Sequence, residues 1–369
     1  MPRTRSLVVA LAVLAAAGCR GRPEPIQVGF VTGLTGRHYD LGISSRNGAS
    51  LAVVELNQAG GVNGRPIELV IVDDEQRPES ARLAVEELIR RGVVAIIGHA
   101  TSAMAEVTLP IVNRERVLML SPTVSSSAFV GLDDWFVMLH PSTAESARAL
   151  AGYLLRTGPI RRVTVFYDLS NRAYTQSWHD HFSAALASGG GRIARSVPFT
   201  SGEVPSYEAL VVKALEEPTD AVLVVANALD SATICQQVRK ASRTLPLLGT
   251  EWGFTHDILA HGGAAVDGAV FVQKVDLGDA SPRYLRFREA YAARFNRPVD
   301  FAAILSYESV EVLAEALRRD ASREGVRRAI LGIGTFHGLQ GDLRIDRYGD
   351  VQRRHLVTTL RDGRMSVLE

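Results

Sequence analysis

Residues 93–127 read VVAIIGHATSAMAEVTLPIVNRERVLMLSPTVSSS, and their pattern decides the fold. The apolar run at 93–97 is too short for a helix and is typical of a buried parallel strand. A polar turn follows, and residues 103–116 then have helical spacing. A second apolar run at 117–120 predicts another strand, which also ends in a polar turn. The unit is therefore strand, helix, strand, with a hydroxyl-rich loop after each strand.

Three hydroxyl side chains lie at the predicted strand ends of this unit: Ser102, Thr123 and Ser125. In an open α/β sheet, ligands bind beyond the carboxyl ends of the strands, so these side chains are expected along one rim. Ser102 also stands at a helix start, where free backbone N–H groups and the helix dipole favour an anion such as a small carboxylate. Capping alone also explains hydroxyls in turns and at helix starts, and this alternative stays open.

The same alternation of strands and helices extends along most of the chain. Apolar runs at 26–31 and 67–72, each followed by a helical pattern, precede the opening unit and complete a set of four strands with right-handed parallel crossovers. The pattern starts again near residue 142. It predicts further strands at 162–167, 192–197, 221–226 and 245–248. The second half therefore repeats the architecture of the first, and the fold class is α/β.

Glu251 follows the strand predicted at 245–248 and occupies the corresponding end of the second half. A carboxylate at that position can face the hydroxyl rim of the first half across a cleft. One rim then suits a carboxylate group and the other an ammonium group. These are the two ends of an amino acid.

Composition excludes several classes of function. The chain has 369 residues, about two domains by length, with 41 basic and 40 acidic residues and a formal net charge of +1. Lys and Arg are scattered, so no nucleic-acid partner is expected. The sequence has no nucleophile elbow, zinc-binding HExxH, phosphate-cradling loop or paired CxxC. We therefore expect no catalytic residue, no cofactor and no metal site, and the protein is not expected to be an enzyme.

The N-terminus has the order of a targeting segment. Arg3 and Arg5 form a short basic region, the apolar run at 7–17 has the length of a signal-peptide core, and small residues precede Cys19. This order resembles a bacterial lipoprotein signal. It implies a signal peptide at 1–18, a lipid on Cys19 and a tether at 19–25, which would anchor the mature protein to the membrane. Ordinary secretory cleavage and an uncleaved anchor are the alternatives.

Several short segments resemble the leucine/isoleucine/valine-binding family of periplasmic solute receptors. They are Gly33-Leu34-Thr35-Gly36 followed by Gly42, the turn at 57–64, Asp73-Asp74, Ile97-Gly98-His99 and Ser121-Pro122. The similarity covers essentially the whole mature chain. It implies the type I periplasmic binding protein fold, in which two doubly wound parallel-sheet lobes are joined by a three-crossing hinge. It also implies delivery of an amino acid to the permease of an ABC transporter, without catalysis.

The resemblance assigns roles to individual positions. Ser102 matches the hydroxyl that holds the ligand carboxylate, and Glu251 matches the carboxylate that takes the ligand ammonium. Thr123 and Ser125 match positions that meet both groups. Tyr174 matches an aromatic lid from the second lobe.

Three positions depart from the branched-chain receptors. Leu41 stands where those receptors have an aromatic residue, and Trp252 replaces a glycine beside the acid. Asn227 falls on a side-chain pocket position that is aromatic in the family. The resemblance therefore implies that the groups that recognise the ligand carboxylate and ammonium are present. It does not determine which side chain the ligand carries.

The implied lobes are residues 26–139 with 275–335 and residues 140–274 with 336–369. Because the expected contacts come from both lobes, ligand binding should stabilise a closed state. The implied function is a periplasmic or cell-surface, lipid-anchored binding protein that delivers a branched-chain or related amino acid to an ABC permease. The alternative is a receptor for an amino acid or a small amide or carboxylate that signals to a partner without transport.

Overall fold

The computed structural model describes residues 23–36 and 39–369. The predicted signal peptide at 1–18 and the predicted lipidation site at Cys19 lie outside these residues. Among the helices of the described residues, none is both long enough and apolar enough to cross a bilayer.

The first half of the described chain forms a five-stranded parallel sheet with the order β2-β1-β3-β4-β5. Every residue of the third and fourth strands is buried, as unbroken apolar runs predict for a sheet that is covered on both faces. The strands are β1 (Ile26–Thr32), β2 (Ile67–Asp73), β3 (Ala95–Gly98), β4 (Leu118–Ser121) and β5 (Phe136–Met138). The helices of this half are α1 (Tyr39–Gln58), α2 (Pro78–Arg90) and α3 (Ser102–Glu115).

The second half contains a corresponding set of parallel strands in the order β10-β9-β8-β6-β7. They are β6 (Arg162–Asp168), β7 (Arg192–Phe199), β8 (Ala221–Val225), β9 (Leu247–Gly249) and β10 (Val270–Gln273). The helices that accompany them are α4 (Thr143–Thr157), α5 (Arg172–Ser188), α6 (Tyr207–Ala214), α7 (Ala228–Ala241) and α8 (His256–Gly262). The repeat of the strand–helix pattern predicted from the sequence is thus confirmed.

After β10 the chain returns to the first half through α9 (Pro282–Phe295), α10 (Phe301–Arg319) and α11 (Arg323–Ile333). Helix α10 is buried over most of its length and packs along α1. At their closest approach, a Cβ on Gly48 would lie 2.1 Å from the carbonyl oxygen of Ala303, so only glycine fits there. A small antiparallel sheet follows, formed by β11 (Thr335–Gly338), β12 (Gly341–Ile345) and β13 (Val351–Gln352).

The last two strands, β14 (Leu356–Arg361) and β15 (Arg364–Val367), join the second sheet beside β10 in antiparallel orientation. Asp362 and Gly363 connect them as a two-residue turn with φ values of 49° and 69°, the backbone of a tight hairpin. A connection this short cannot join parallel strands, which require a long crossover. The second sheet is therefore mixed, whereas the sequence predicted parallel sheets in both halves.

Over the described residues, the chain passes between the two large sheets three times: after β5, after β10 and before β14. Arg353 connects two of these passages, because its Nε donates to the carbonyl of Leu139 at 3.1 Å while its guanidinium pairs with Glu308 of α10. The lobe boundaries predicted after residues 139 and 274 fall near the first two passages, whereas the boundary predicted after 335 precedes the small sheet and so lies well before β14. The division into lobes stays a prediction.

Candidate functional site

A narrow cavity of about 20 Å³ lies where loops of the first half meet loops of the second. Every residue that lines it is buried. A cavity needs about 10–15 Å³ to hold one water, so this one is too small for an amino acid. The lining residues are Leu41, Ala100, Ser102, Thr123, Asn171, Tyr174, Glu251, Trp252 and Phe301.

One side of the cavity carries the hydroxyl rim that the sequence predicted. Ser102 is the first residue of α3, and its Oγ accepts the backbone N–H groups of Ser125 at 3.4 Å and Ser126 at 3.3 Å. Because this oxygen accepts twice, its own proton remains available as a donor. Thr123 donates its hydroxyl proton to the carbonyl of Ala100 at 2.7 Å, so its oxygen can accept from a ligand.

Ser125 lies behind this rim with its side chain fully buried. Its hydroxyl has no hydrogen-bond partner among the described residues. Its carbonyl accepts the N–H of Thr143 at 2.7 Å, which fixes the backbone at the start of α4. Ser125 therefore does not line the cavity that the described residues form. Its buried hydroxyl still requires a hydrogen-bond partner.

Asn171 closes the cavity from the second half, just before α5. Its side-chain oxygen accepts the backbone N–H of Ala103, in the first turn of α3, at 3.0 Å. This N–H belongs to the helix start at which the sequence predicted anion binding. In this structure the side-chain amide of Asn171 therefore engages an N–H group at which the ligand carboxylate is predicted to bind.

The opposite side carries Glu251, which follows β9 and is 2% exposed. The hydroxyl of Ser146 donates to Oε1 of Glu251 at 3.3 Å, whereas Oε2 has no hydrogen-bond partner among the residues described. Burial raises the pKa of Glu251, and the positive charge of Lys274 opposes that rise. Lys274 is itself buried and donates from Nζ to the Ser146 oxygen at 2.7 Å.

His140 lies beside the same carboxylate, with Nε2 3.5 Å from Oε1 of Glu251. Burial holds the pKa of His140 well below its ordinary value, so the ring is neutral near pH 7. Its Nδ1 lies 2.8 Å from the carbonyl of Pro141, which accepts the single ring proton. The Nε2 atom then carries a lone pair and does not donate to Glu251.

Apolar and aromatic side chains form the remaining wall. Tyr174 and Trp252 meet edge to face, with ring centroids 5.7 Å apart, and Leu41 and Phe301 complete the wall. Burial raises the pKa of Tyr174 well above its ordinary range, and the charge of Glu251 acts in the same direction. The Tyr174 hydroxyl is therefore protonated at neutral pH.

Asn227, which the resemblance assigns to the side-chain pocket, lies at the start of α7. It is the N-cap of α7: its side chain accepts the N–H of Asp230 at 3.0 Å and donates to the Asp230 carboxylate at 2.6 Å. The cavity wall formed by the described residues does not include Asn227. Asparagine at a helix start satisfies backbone N–H groups that would otherwise be unpaired, and this explains the residue locally.

Sequence reasoning missed three lining residues and the polar groups behind Glu251. Ala100 and Asn171 follow β3 and β6, so a rule that selected every residue after a strand would have included them. Phe301 starts α10 and reaches the cavity only because the chain returns to the first half, so it has no local signal. Ser146 and Lys274 converge on Glu251 from separate elements and have none either.

Further contacts join the two halves around the cavity. The Thr255 hydroxyl donates to Asp40 at 2.5 Å, and the Ser127 hydroxyl lies 2.9 Å from that of Ser177 and 2.8 Å from Nε2 of His181. Among residues 23–36 and 39–369, no group of three or more His, Cys, Asp or Glu side chains could hold a metal ion. The hydrogen bonds between the two halves thus close the described chain over a small internal cavity.

The chain belongs to the periplasmic binding protein family, because the model of that family matches residues 25–364. This match confirms the resemblance seen in the sequence. A Leu/Ile/Val-binding protein homologue of Brucella melitensis is 25% identical over 301 residues, which cover 81% of this chain and 80% of that protein. A leucine-, isoleucine-, valine-, threonine- and alanine-binding protein of Pseudomonas aeruginosa is 22% identical over 353 residues, covering 95% of this chain and 93% of that protein.

Solved structures confirm the type I periplasmic binding protein fold. A leucine-binding protein of Thermotoga maritima superposes with a TM-score of 0.86 at 24% identity, covering 93% of this chain and 98% of that one. A solute-binding protein of an ABC transporter from Rhodopseudomonas palustris, in complex with benzoate, gives a TM-score of 0.84 at 19% identity, covering 93% and 95%. The similar proteins are thus solute-binding proteins of ABC transporters.

Proposed function

We propose that this protein captures an amino acid between its two lobes and delivers it to the permease of an ABC importer. The observation that carries the proposal is the buried carboxylate of Glu251, which faces a cavity whose other side is lined by hydroxyl groups. A buried carboxylate oxygen without a hydrogen bond is costly unless a cation meets it. The ammonium group of an amino acid supplies that cation, and its carboxylate suits the start of α3.

Three rim residues take complementary roles in this proposal. Ser102 donates its hydroxyl proton to the ligand carboxylate, and the first backbone N–H groups of α3 support it once Asn171 moves aside. Thr123 accepts from the ligand ammonium, since its own proton is directed at Ala100. Glu251 pairs with the same ammonium through Oε2.

The composition of the cavity wall favours a ligand with an apolar side chain. Leu41, Phe301, Tyr174 and Trp252 present mostly hydrocarbon and ring surface, so burial of an apolar side chain there is favourable. The Tyr174 hydroxyl, which has no hydrogen-bond partner among the described residues, is the polar group of this wall. The names of the relatives support the same class, a branched-chain or related amino acid. The Cys19 lipid predicted from the sequence would hold the protein at the membrane beside its permease.

Ligand entry requires the lobes to part. The cavity of about 20 Å³ cannot accept even a small amino acid, so binding and release proceed through an open state. Because the contacts come from both halves of the chain, a bound ligand would stabilise a closed state whose cavity is wider than the one in this structure, by its higher affinity for that state than for the open state. Residues 26–139 with 275–335 and residues 140–274 with 336–369 would move as the two lobes.

A carboxylate ligand without an amine is the second candidate. Lys274 already supplies a positive charge near Glu251, and aromatic side chains line the wall. The structural similarity to a benzoate complex points to the same chemistry. A protein that binds either class of ligand could signal to a partner protein instead of delivering the ligand to a permease.

Calorimetry with leucine and 4-methylpentanoate distinguishes the two ligand classes, because these molecules differ only by the ammonium group. The proposal predicts that leucine binds and that 4-methylpentanoate binds at least about thirtyfold more weakly, since a desolvated charge pair is worth about 2 kcal/mol or more. Isoleucine and valine should be tested in parallel, with benzoate as the aromatic acid. Equal affinity for leucine and its amine-free analogue, or binding of benzoate alone, would reject the amino-acid proposal.

A further inference from the structure

We propose that Lys274 is a positioning residue for Glu251: it keeps the carboxylate ionised in the closed cleft and, through Ser146, holds one oxygen so that the other faces the ligand. The inference rests on the proposed function, because it assigns the ligand ammonium to Oε2 of Glu251.

The register of the second sheet brings these groups together. Strands β9 and β10 are parallel neighbours in which Gly249 pairs with Phe271. Glu251 lies two residues beyond Gly249, and Lys274 lies three residues beyond Phe271. Both side chains therefore leave the same edge of the sheet, where ligands of α/β proteins bind.

Ser146 of α4 connects the two charges. Its hydroxyl oxygen accepts a hydrogen bond from Nζ of Lys274 at 2.7 Å, and its hydroxyl proton is shared between Oε1 of Glu251 at 3.3 Å and the carbonyl of Ser142 at 3.4 Å. The positive charge thus acts on Glu251 from the side away from the cavity. Oε1 is engaged by this bridge, and Oε2 has no partner among the described residues. One carboxylate can then serve two cations, the internal lysine and the ligand ammonium.

The other titratable groups around Lys274 do not replace it. His140 is neutral at pH 7 for the reasons given above. Burial lowers the pKa of His355 to about 3, and Arg353 is paired with Glu308. Glu145 on α4 also favours the charged form of Lys274. A second pocket is lined by Lys274 together with the charged residues Asp276, Asp279, Asp342, Arg353 and Arg354.

The charge of Lys274 is present at neutral pH. Burial lowers its pKa to about 8, against the attraction of Glu251 and Glu145, which favours the charged form. Lys274 is therefore mostly protonated at pH 7 and loses its proton as the pH rises above about 8. Lys274 is thus positively charged at the neutral pH at which an amino-acid ligand is a zwitterion.

The choice of lysine also has support in the sequence. Of the 41 basic residues, only Lys213, Lys240 and Lys274 are lysines, and the first two are exposed. Elsewhere the chain uses arginine, whose planar guanidinium readily engages both oxygens of a carboxylate. The compact ammonium of lysine, acting through a serine, leaves the second oxygen available.

Removing this charge has a specific consequence for proton exchange. Without Lys274, nothing would oppose the rise that burial causes in the pKa of Glu251 to the same degree, so its neutral form would be favoured more strongly. The ligand ammonium could then pair with Glu251 only if Glu251 released its proton to the buffer. Binding would become coupled to the release of about half a proton or more, and affinity would rise with pH by up to about tenfold per unit.

The test is calorimetry of leucine binding at pH 7 in phosphate and in Tris, whose different ionisation enthalpies reveal proton release. The variants are wild type, Lys274→Met, the charge-retaining Lys274→Arg, and Lys240→Met as a matched surface control. We expect close to zero protons released for wild type, Lys274→Arg and Lys240→Met, and about half a proton or more for Lys274→Met. Lys274→Gln provides the same measurement if the methionine variant does not fold.

Two results would overturn the inference. One is a weaker Lys274→Met variant with no proton release and no change in pH dependence, which would assign a purely structural role. The other is release of a full proton by wild type, which would show that Glu251 is neutral before binding. Failure of wild type to bind any amino acid would reject the proposed function instead, and it is recognised from the wild-type titration alone.

Discussion

Replacing Glu251 with glutamine should remove most of the affinity for an amino acid while leaving the fold intact. The substitution keeps the shape of the side chain and changes its charge. The Ser146 hydroxyl can still donate to the side-chain oxygen of glutamine, as it does to Oε1 of Glu251 at 3.3 Å. Burial raises the pKa of Glu251, so the site disfavours its negative charge, but the substitution also removes the carboxylate that favours the charged form of the buried Lys274. We therefore expect a folded protein of somewhat lower stability.

The magnitude follows from what the ligand ammonium would lose. Removing one partner of a desolvated charge pair costs about 2–5 kcal/mol, or about thirty- to several-thousand-fold in affinity. Ser102→Ala should cost less, about 1–3 kcal/mol, since backbone N–H groups at the start of α3 can still hold the ligand carboxylate.

The assay is calorimetry of leucine and 4-methylpentanoate with wild type, Glu251→Gln and Ser102→Ala. Glu217→Gln, on an exposed segment of the second half, is the matched control for loss of a carboxylate. Glu251→Gln should weaken leucine binding by the amount given above and should leave or improve binding of the amine-free analogue. A Glu251→Gln variant that binds leucine as tightly as wild type would refute the assignment of the ammonium partner.

Three further predictions concern closure, pH and the anchor. X-ray scattering should show a smaller radius of gyration with saturating ligand, and an unchanged radius despite confirmed binding would count against the hinge. Burial raises the pKa of Asp300 to about 6, so the folded state holds more protons than the unfolded state between about pH 4 and 6, and stability falls with rising pH there by up to about 3 kcal/mol. Urea unfolding across that range should show this decrease in wild type relative to Asp300→Asn, and parallel profiles would contradict it. Cys19→Ser should release the protein from the membrane fraction with unchanged ligand affinity, and continued membrane retention would reject the predicted anchor.

The parts of the site that follow strands directly could be predicted from the sequence. Ser102, Thr123 and Glu251 each come soon after a short apolar run, and the carboxyl ends of such strands form the binding edge of an α/β sheet. Their positions depend only on local patterns and on this topological rule. The alternating strands and helices of both halves were predictable for the same reason.

Other parts depend on pairings that no local pattern encodes. The relation of Lys274 to Glu251 requires the register of β9 with β10, and Phe301 reaches the cavity only through the return of the chain to the first half. The helix-capping role of Asn227 also depends on the backbone at the start of α7, and its assignment to the side-chain pocket stays a prediction. The antiparallel β14 was likewise unpredictable, since its neighbour β10 lies far away in sequence.

The most direct test of the central claim is mass spectrometry of the small molecule released when the purified protein is denatured. The protein should be isolated without amino acids in the purification buffers, and the released molecule should be re-titrated into ligand-free protein to show that it binds. Our account predicts an α-amino acid with an apolar side chain, present in near-equimolar amount. A released ligand that lacks an amine and binds Glu251→Gln as tightly as wild type would contradict it.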